Sequence, residues 1–517
     1  AGYGLFFDTT WPGVYDFCHT TEDQVTLYHE GPSLRVEIYT GEPASVVRKH
    51  SLRAGPPILP PKWVFRPWRW RDEHRNYPTF YDGTPVSAPY NSELVEDVLM
   101  MEALEIPVGA YWIDRPWATG PMGYDDFQWD PERVPNAEGM IRWLNSKGIE
   151  FALWIAPWVM GDMADVALRE GYSLAGQKTR VQDVDPRVLL DFTNPDAVKW
   201  WQEEGLRPIL ESGVKGFKMD RAEELVPDSR EFKAFDNRTA REIHNEYPVQ
   251  YIRAAWEIAH EVHGDDIAMM PRAAFTGSSR YGVFWGGDIG APAEGLRAAI
   301  IAGLRSAVIG YPIWGSDTGG YWQAELDREV TARWLAFSAF CPIMEVGPTE
   351  NRGFWNMARE PHYDAELIAI WRLYSIIHDR LAEYSYRHAV EAHETGMPIM
   401  RPLFLHYPDQ KKAWEEWQTY LYGRDILVSP VWQKGTREHR LWLPAGERWI
   451  DAWTWQTHDG GQSVTVPAPL YKIPFFVREG SDIHYGTLLE KVWVESLKIA
   501  RDPPDLAALQ QSLDRLP

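Results

Sequence analysis

The sequence predicts an α/β protein in which a (β/α)8 barrel precedes an antiparallel β domain. Between residues 62 and about 385, short apolar runs alternate with helical patterns, the signature of repeated βα units on a parallel sheet. After about residue 395 the texture changes to brief alternating strands separated by turn residues, as in a β-sandwich. Two aspartates, Asp220 and Asp288, each close a short apolar run, which is where a barrel holds its chemistry. With 517 residues, the chain exceeds the size at which one core keeps growing, so two or three domains are expected.

Residues 1–50 alternate polar and apolar side chains, as in Leu34-Arg35-Val36-Glu37-Ile38-Tyr39, the pattern of half-buried strands. Gly55-Pro56-Pro57-Ile58-Leu59-Pro60-Pro61 then marks a connector. Eight strands are expected beyond it, at Trp63–Trp70, Val108–Ile113, Phe151–Ala156, Gly216–Met219, Ile267–Pro271, Val283–Trp285, Ala307–Trp314 and Ala339–Met344. Eight such units close a barrel. The stretch 159–195 is too long for a simple βα loop and is expected to form an excursion over the active face. Tyr420-Leu421-Tyr422, Ile426-Leu427-Val428, Leu441-Trp442-Leu443 and Val464-Thr465-Val466 read as strands of the second domain. A polar helix over Leu488–Ala500, a proline break and a further short helix end the chain. The domains so delimited are 1–58, 59–390, 391–487 and a helical tail at 488–517.

Composition narrows the function. Apolar residues make up 44% of the chain, enough for a sizeable core. A net charge of −22 repels phosphates and argues against nucleic acid as a partner. The 27 Trp and 24 Tyr supply flat faces that suit the C–H face of a sugar, although most belong to the core. Cys18 and Cys341 are too few for a disulfide framework or a four-cysteine metal site. His260 and His263 are one residue short of a zinc-helix spacing, and Gly286-Gly287 and Gly319-Gly320 lack the Lys-Ser/Thr of a phosphate loop, so no metal or cofactor is expected. With no apolar run of membrane-spanning length and no basic-then-apolar leader, this form is expected to be soluble, without membrane partners.

Breaking an acetal without a metal needs one carboxylate to meet the oxocarbenium centre and a second carboxyl group to protonate the leaving oxygen. Asp220 and Asp288, on different strand ends, are the candidate pair, whereas an Asp that merely caps the following helix is the plainer alternative for either one. Lys218 shares a strand face with Asp220, Trp285 precedes Asp288, and Arg272 ends another apolar run.

These segments resemble glycoside hydrolase family 31. Lys-Met-Asp-Arg-Ala-Glu (218–223) is similar to that family's nucleophile segment, and Arg272 and Asp288 stand sixteen positions apart, as in its acid/base segment. Phe-Gln-Trp-Asp-Pro-Glu-Arg-Val-Pro-Asn (127–136), Leu-Trp-Ile-Ala-Pro-Trp (153–158), Asp-Phe-Thr-Asn-Pro-Asp-Ala (191–197), Trp-Gly-Ser-Asp-Thr-Gly-Gly (314–320) and Arg-Pro-Leu-Phe-Leu-His-Tyr-Pro (401–408) follow in the family's order. The resemblance implies a barrel between β-sandwiches, the first of them truncated here, and a retaining α-glycosidase acting on a carbohydrate substrate such as an α-glucoside, α-galactoside or α-xyloside. It implies Asp220 as nucleophile, Lys218 as the group that holds it ionised or binds a sugar hydroxyl, and Asp288 as acid/base in a less polar setting beside Trp285. Arg272 would bind the sugar or the nucleophile, Trp154 and Trp285 would wall the pocket, Asp114 would bind substrate, and Asp317 would bind hydroxyls or brace Arg272. Glu223 would support the nucleophile rather than react.

Two departures from the family's pattern bear on specificity. Trp112-Ile113-Asp114-Arg115-Pro116-Trp117 keeps Asp114 but has Pro116 where α-glucosidases of the family commonly carry a second carboxylate. Glu345-Val346-Gly347 stands where the family often has Arg-x-His. Arg115, Trp117, Glu345 and Asn351 are the candidates to compensate. A transglycosylase on the same intermediate and a non-catalytic carbohydrate-binding subunit are the alternatives.

Overall fold

The computed structural model describes residues 2–174, 179–181, 185–223, 231–322, 327–347, 354–355, 363–483 and 488–511. Seven parallel strands form one curled sheet in the order Ala268–Pro271, Gly216–Met219, Glu150–Ile155, Ala110–Ile113, Trp68–Arg71, Glu345–Val346 and Asp317–Thr318. The gap between its two ends is spanned by the parallel pair Phe284–Trp285 and Trp314–Gly315. The Val283 N–H donates to the Met269 carbonyl at 2.9 Å on one flank, and the Ile343 N–H to the Trp314 carbonyl at 3.3 Å on the other. The wall is that of a TIM barrel, and every strand residue of its seven-strand sheet is buried except Glu150, which opens its strand.

The first strand, Trp68-Arg69-Trp70-Arg71, has charged residues where a buried strand should be apolar, and the period of two resolves the conflict. Trp70 points into the barrel mouth, where it lines the pocket and stacks on Trp112 with centroids 4.5 Å apart. Arg69 and Arg71 face the helix Ser92–Ala103 and meet Asp97 at 2.8 Å and 2.5 Å, with Glu96 2.9 Å from Arg71. Two buried guanidinium groups are tolerated because each has a carboxylate partner. The Asn91 side chain caps that helix by accepting the Leu94 N–H at 3.1 Å.

Three expected barrel strands lie elsewhere than the apolar runs suggested. Lys62–Phe65 is a 3-10 turn, so the first strand begins at Trp68. Residues of the expected Ala307–Trp314 strand begin inside the helix Ala293–Val308, with the strand confined to Trp314–Gly315. The apolar run Ala339–Met344 is a buried turn after the helix Arg328–Ser338, and the strand is Glu345–Val346. A turn or helix end rich in apolar residues has much the same texture as a buried strand, and in sequence the two are not told apart.

The excursion over 159–195 contains the helix Gly161–Arg169 and a small antiparallel sheet of Trp158–Val159, Asp185–Leu189 and Thr179–Val181. It carries Trp158 and Arg187 to the barrel mouth. The N-terminal segment forms two antiparallel pairs, Gly2–Asp8 with Arg35–Gly41 and Gly13–Phe17 with Val25–His29, then an unexpected helix, Pro43–Ala54. The boundary expected at residue 390 falls inside the 31-residue helix Ala365–Thr395, which runs on until Gly396 adopts φ +75°. Beyond it lie a six-stranded antiparallel sheet and the pair Glu438–Leu443 with Gln462–Pro467, packed around Leu403, Leu421, Leu427, Trp449 and Phe476. The helix Leu488–Ala500 docks on the long helix through Arg372 and Ser496 at 3.0 Å, and Trp493 stacks on Tyr471. No helix among the described residues is long and apolar enough to cross a membrane.

Candidate active site

Asp220 follows the strand Gly216–Met219, and its N–H donates to the Ile155 carbonyl at 2.9 Å, so the sheet ladder fixes its backbone. Its carboxylate accepts the Trp154 indole N–H at 3.2 Å and the Arg221 N–H at 2.8 Å. Arg272 joins the candidate pair: Nη1 lies 2.9 Å from Asp220 Oδ1 and 3.2 Å from Asp288 Oδ1, while Nη2 holds Glu223 at 2.6 Å. The carboxylates of Asp220 and Asp288 therefore share one nitrogen, and their nearest oxygens lie within the combined length of those two bonds.

Their surroundings differ. Burial, reinforced by Asp288, raises the pKa of Asp220 above the ordinary carboxylate value, with Arg272 and Arg221 opposing. Asp288 is more open, its side chain 39% exposed against 15% for Asp220. It is thus less enclosed by Trp285 than its sequence context suggested.

Lys218 does not turn to Asp220. Its ammonium meets Asp317 Oδ1 at 2.8 Å and Glu345 Oε2 at 2.6 Å, and sits 3.7 Å from the centroid of the Trp285 ring. All three charged groups are buried, and Asp317 pairs with Lys218 rather than bracing Arg272, the second of the two roles expected of it. Asp317 is pushed well above the usual carboxylate range by burial, and Glu345 and Asp288 add to the effect while Lys218 opposes it.

Asp114 follows the strand Ala110–Ile113, and its backbone N–H donates to His74 Nδ1 at 3.4 Å. Burial keeps His74 neutral, lowering it to about 3. The Asp114 carboxyl hydrogen-bonds that of Asp72, and burial followed by the charge of Asp72 raises it far above its ordinary value.

A cavity of about 220 Å³ collects these groups. Asp114, Trp154, Lys218, Asp220, Trp285, Asp288 and Asp317 line it, and Arg272 stands behind the two candidate carboxylates. Of the four candidates to compensate for the departures, Arg115 faces the cavity. Trp117 is buried and donates its indole N–H to the Trp154 carbonyl at 2.9 Å, Glu345 is committed to Lys218, and Asn351 lies outside the described residues. Sequence reasoning missed Asp72, Arg187, Arg221 and Tyr321, which also line the cavity. A polar residue directly after the first barrel strand was the available signal for Asp72.

Comparison with known proteins identifies the family. The model for the glycosyl hydrolases family 31 TIM-barrel domain matches residues 57–388, and that for the family's C-terminal domain matches residues 396–483. A sulfoquinovosidase of Escherichia coli is 28% identical, over 90% of this chain and 68% of its own length. A 1,3-alpha-isomaltosidase of Kribbella flavida is 29% identical, over 86% of this chain and 64% of its own. Among solved structures, the cycloalternan-degrading enzyme of Trueperella pyogenes in complex with a covalent intermediate superposes with a TM-score of 0.82 at 25% identity, covering 93% of this chain and 69% of that one. The chain thus spans about two thirds of the length of these relatives.

Proposed function

The chain belongs to glycoside hydrolase family 31, and from that premise we propose that it is a retaining α-glycoside hydrolase working by double displacement. In the first step an Asp220 oxygen attacks the anomeric carbon, the glycosidic C–O bond breaks, and the Asp288 carboxyl gives its proton to the leaving oxygen. In the second, Asp288, now a carboxylate, takes a proton from water as the water oxygen displaces Asp220 from the anomeric carbon. Two inversions restore the starting configuration.

The observation that carries this reading is the shared contact of Asp220 and Asp288 with Arg272 Nη1. It supports a spacing near the roughly 5–5.5 Å of a double-displacement site and leaves little room for the intervening water of an inverting one. The more enclosed, hydrogen-bonded Asp220 suits the nucleophile, and the more open Asp288 suits a group that meets leaving group and water in turn. Proton NMR of the first-formed product from an aryl α-glycoside tests it: the α-anomer is expected, and the β-anomer would refute retention.

Trp322 favours a second outcome of the same intermediate. It lines the cavity with 59% of its surface exposed, a plate on which an acceptor sugar could stack. Transfer of the glycosyl group to a sugar hydroxyl would give oligosaccharide products in the same assay. The non-catalytic reading is disfavoured by the paired carboxylates themselves.

A further inference from the structure

Asp72 comes directly after the first barrel strand, in Arg71-Asp72-Glu73, and lines the cavity. Its carboxyl hydrogen-bonds that of Asp114 and accepts the Tyr321 hydroxyl at 3.2 Å. The register that pairs Arg71 with Ile113 sets the two residues side by side, and burial raises both Asp72 and Asp114 above their ordinary values. Two adjacent carboxyl groups offer several oxygens within one reach, the set that recognises neighbouring hydroxyl groups. Tyr321 lines one cavity with Asp114, Asp72, Asp288 and Asp220, so the pair borders the candidate reacting centre rather than a distant rim. Pro116, two residues after Asp114, has no side-chain polar atom and does not line the cavity.

We propose that Asp72 is a specificity-determining residue of the donor-sugar subsite, supplying from the first barrel strand the carboxylate that position 116 lacks and gripping substrate hydroxyls together with Asp114. The proposal rests on the reading of the cavity as a glycosidase site. It implies that the grip is relocated from one side of Asp114 to the other, so the hydroxyls it meets differ in position or orientation from those met by a carboxylate at 116.

The test is kcat/KM of the full chain and of its Asp72→Asn and Asp72→Ala variants on p-nitrophenyl α-glycosides and on monodeoxy analogues of the best substrate. Asp72→Ala should lower kcat/KM roughly ten- to a hundredfold on the best substrate, the worth of one hydrogen bond to a charged group. On the analogue that lacks the gripped hydroxyl, variant and parent should agree within about twofold. The isosteric Asp72→Asn keeps the test available if the alanine variant fails to fold, and Tyr321→Phe should reduce discrimination at the same hydroxyl. An equal loss on every analogue would mean a structural role and overturn the proposal, as would unchanged kcat/KM. A parent chain silent on every α-glycoside would instead refute the glycosidase reading, and the proposal with it.

Discussion

Trp70 packs its indole where a side chain at Gly347 would have to be: a Cβ on Gly347 would lie 2.2 Å from the indole Cε2. The position where the family often carries a histidine is thus filled from the first strand, and glycine is required because no other residue leaves room for the ring. Gly347→Ala should therefore displace Trp70 from its stack on Trp112 and cost about 1–3 kcal/mol, as overpacking of a close-packed core does. Thermal and denaturant unfolding measure it. A variant as stable as the parent would show that Trp70 has another place to go.

Replacing the two proposed reacting carboxylates should separate their roles. Asp220→Ala removes the attacking group, and Asp288→Ala removes the proton donor, which a fluoride leaving group does not need. With a glycosyl fluoride, Asp288→Ala should keep its glycosylation step while Asp220→Ala stays inactive. Equal residual rates for both variants would sink the assignment.

Arg272 opposes the burial and the Asp288 charge that raise Asp220 above its ordinary 3.8. Asp220 must be ionised to attack. Without the guanidinium, the raising influences act unopposed by it, and a smaller fraction of Asp220 is ionised at any pH near its midpoint. Arg272→Met should therefore move the acid limb of the kcat/KM profile to higher pH, besides lowering its plateau. A limb that stays in place would show that Arg272 does not govern the ionisation of Asp220.

Lys218 holds Asp317 and Glu345 together in a buried cluster. Lys218→Met would leave two buried carboxyl groups without their cation, at a cost of about 3–5 kcal/mol. Denaturant unfolding at neutral pH should read that loss, and a change below about 1 kcal/mol would mean that the cluster relaxes or takes up a proton without penalty.

The sequence made the barrel and the pair Asp220 and Asp288 legible because both are local: a short apolar strand ending in an acid can be read without knowing its neighbours. What escaped was relational. Lys218 shares a strand face with Asp220, as the period of two requires, yet its long side chain crosses the barrel to Asp317 and Glu345, 99 and 127 positions away in sequence. Asp72 carried no motif, and it is the in-register pairing of the first two barrel strands, Arg71 against Ile113, that brings it beside Asp114. The strand limits near 307–314 and 339–344 failed because a helix end and a turn there carry continuous apolar runs, which leave no polar positions from which a period is read.

Specificity should follow from these relations. Pro116 offers no hydroxyl contact and Gly347 offers none, so a sugar that depends on both positions would leave polar groups unmatched, at about 1–3 kcal/mol each. Asp72 and Arg115 line the cavity instead and approach from the ends of the first two barrel strands. A substrate whose hydroxyls meet those two groups should outrank the α-glucoside, with α-galactosides and α-xylosides as the first candidates. A panel of p-nitrophenyl α-glycosides compared by kcat/KM decides the matter. Should the α-glucoside lead by more than about tenfold, roughly 1.4 kcal/mol, other residues of the cavity supply in full the hydroxyl bonds that Pro116 and Gly347 cannot make, and the cavity selects glucose by a different set of partners.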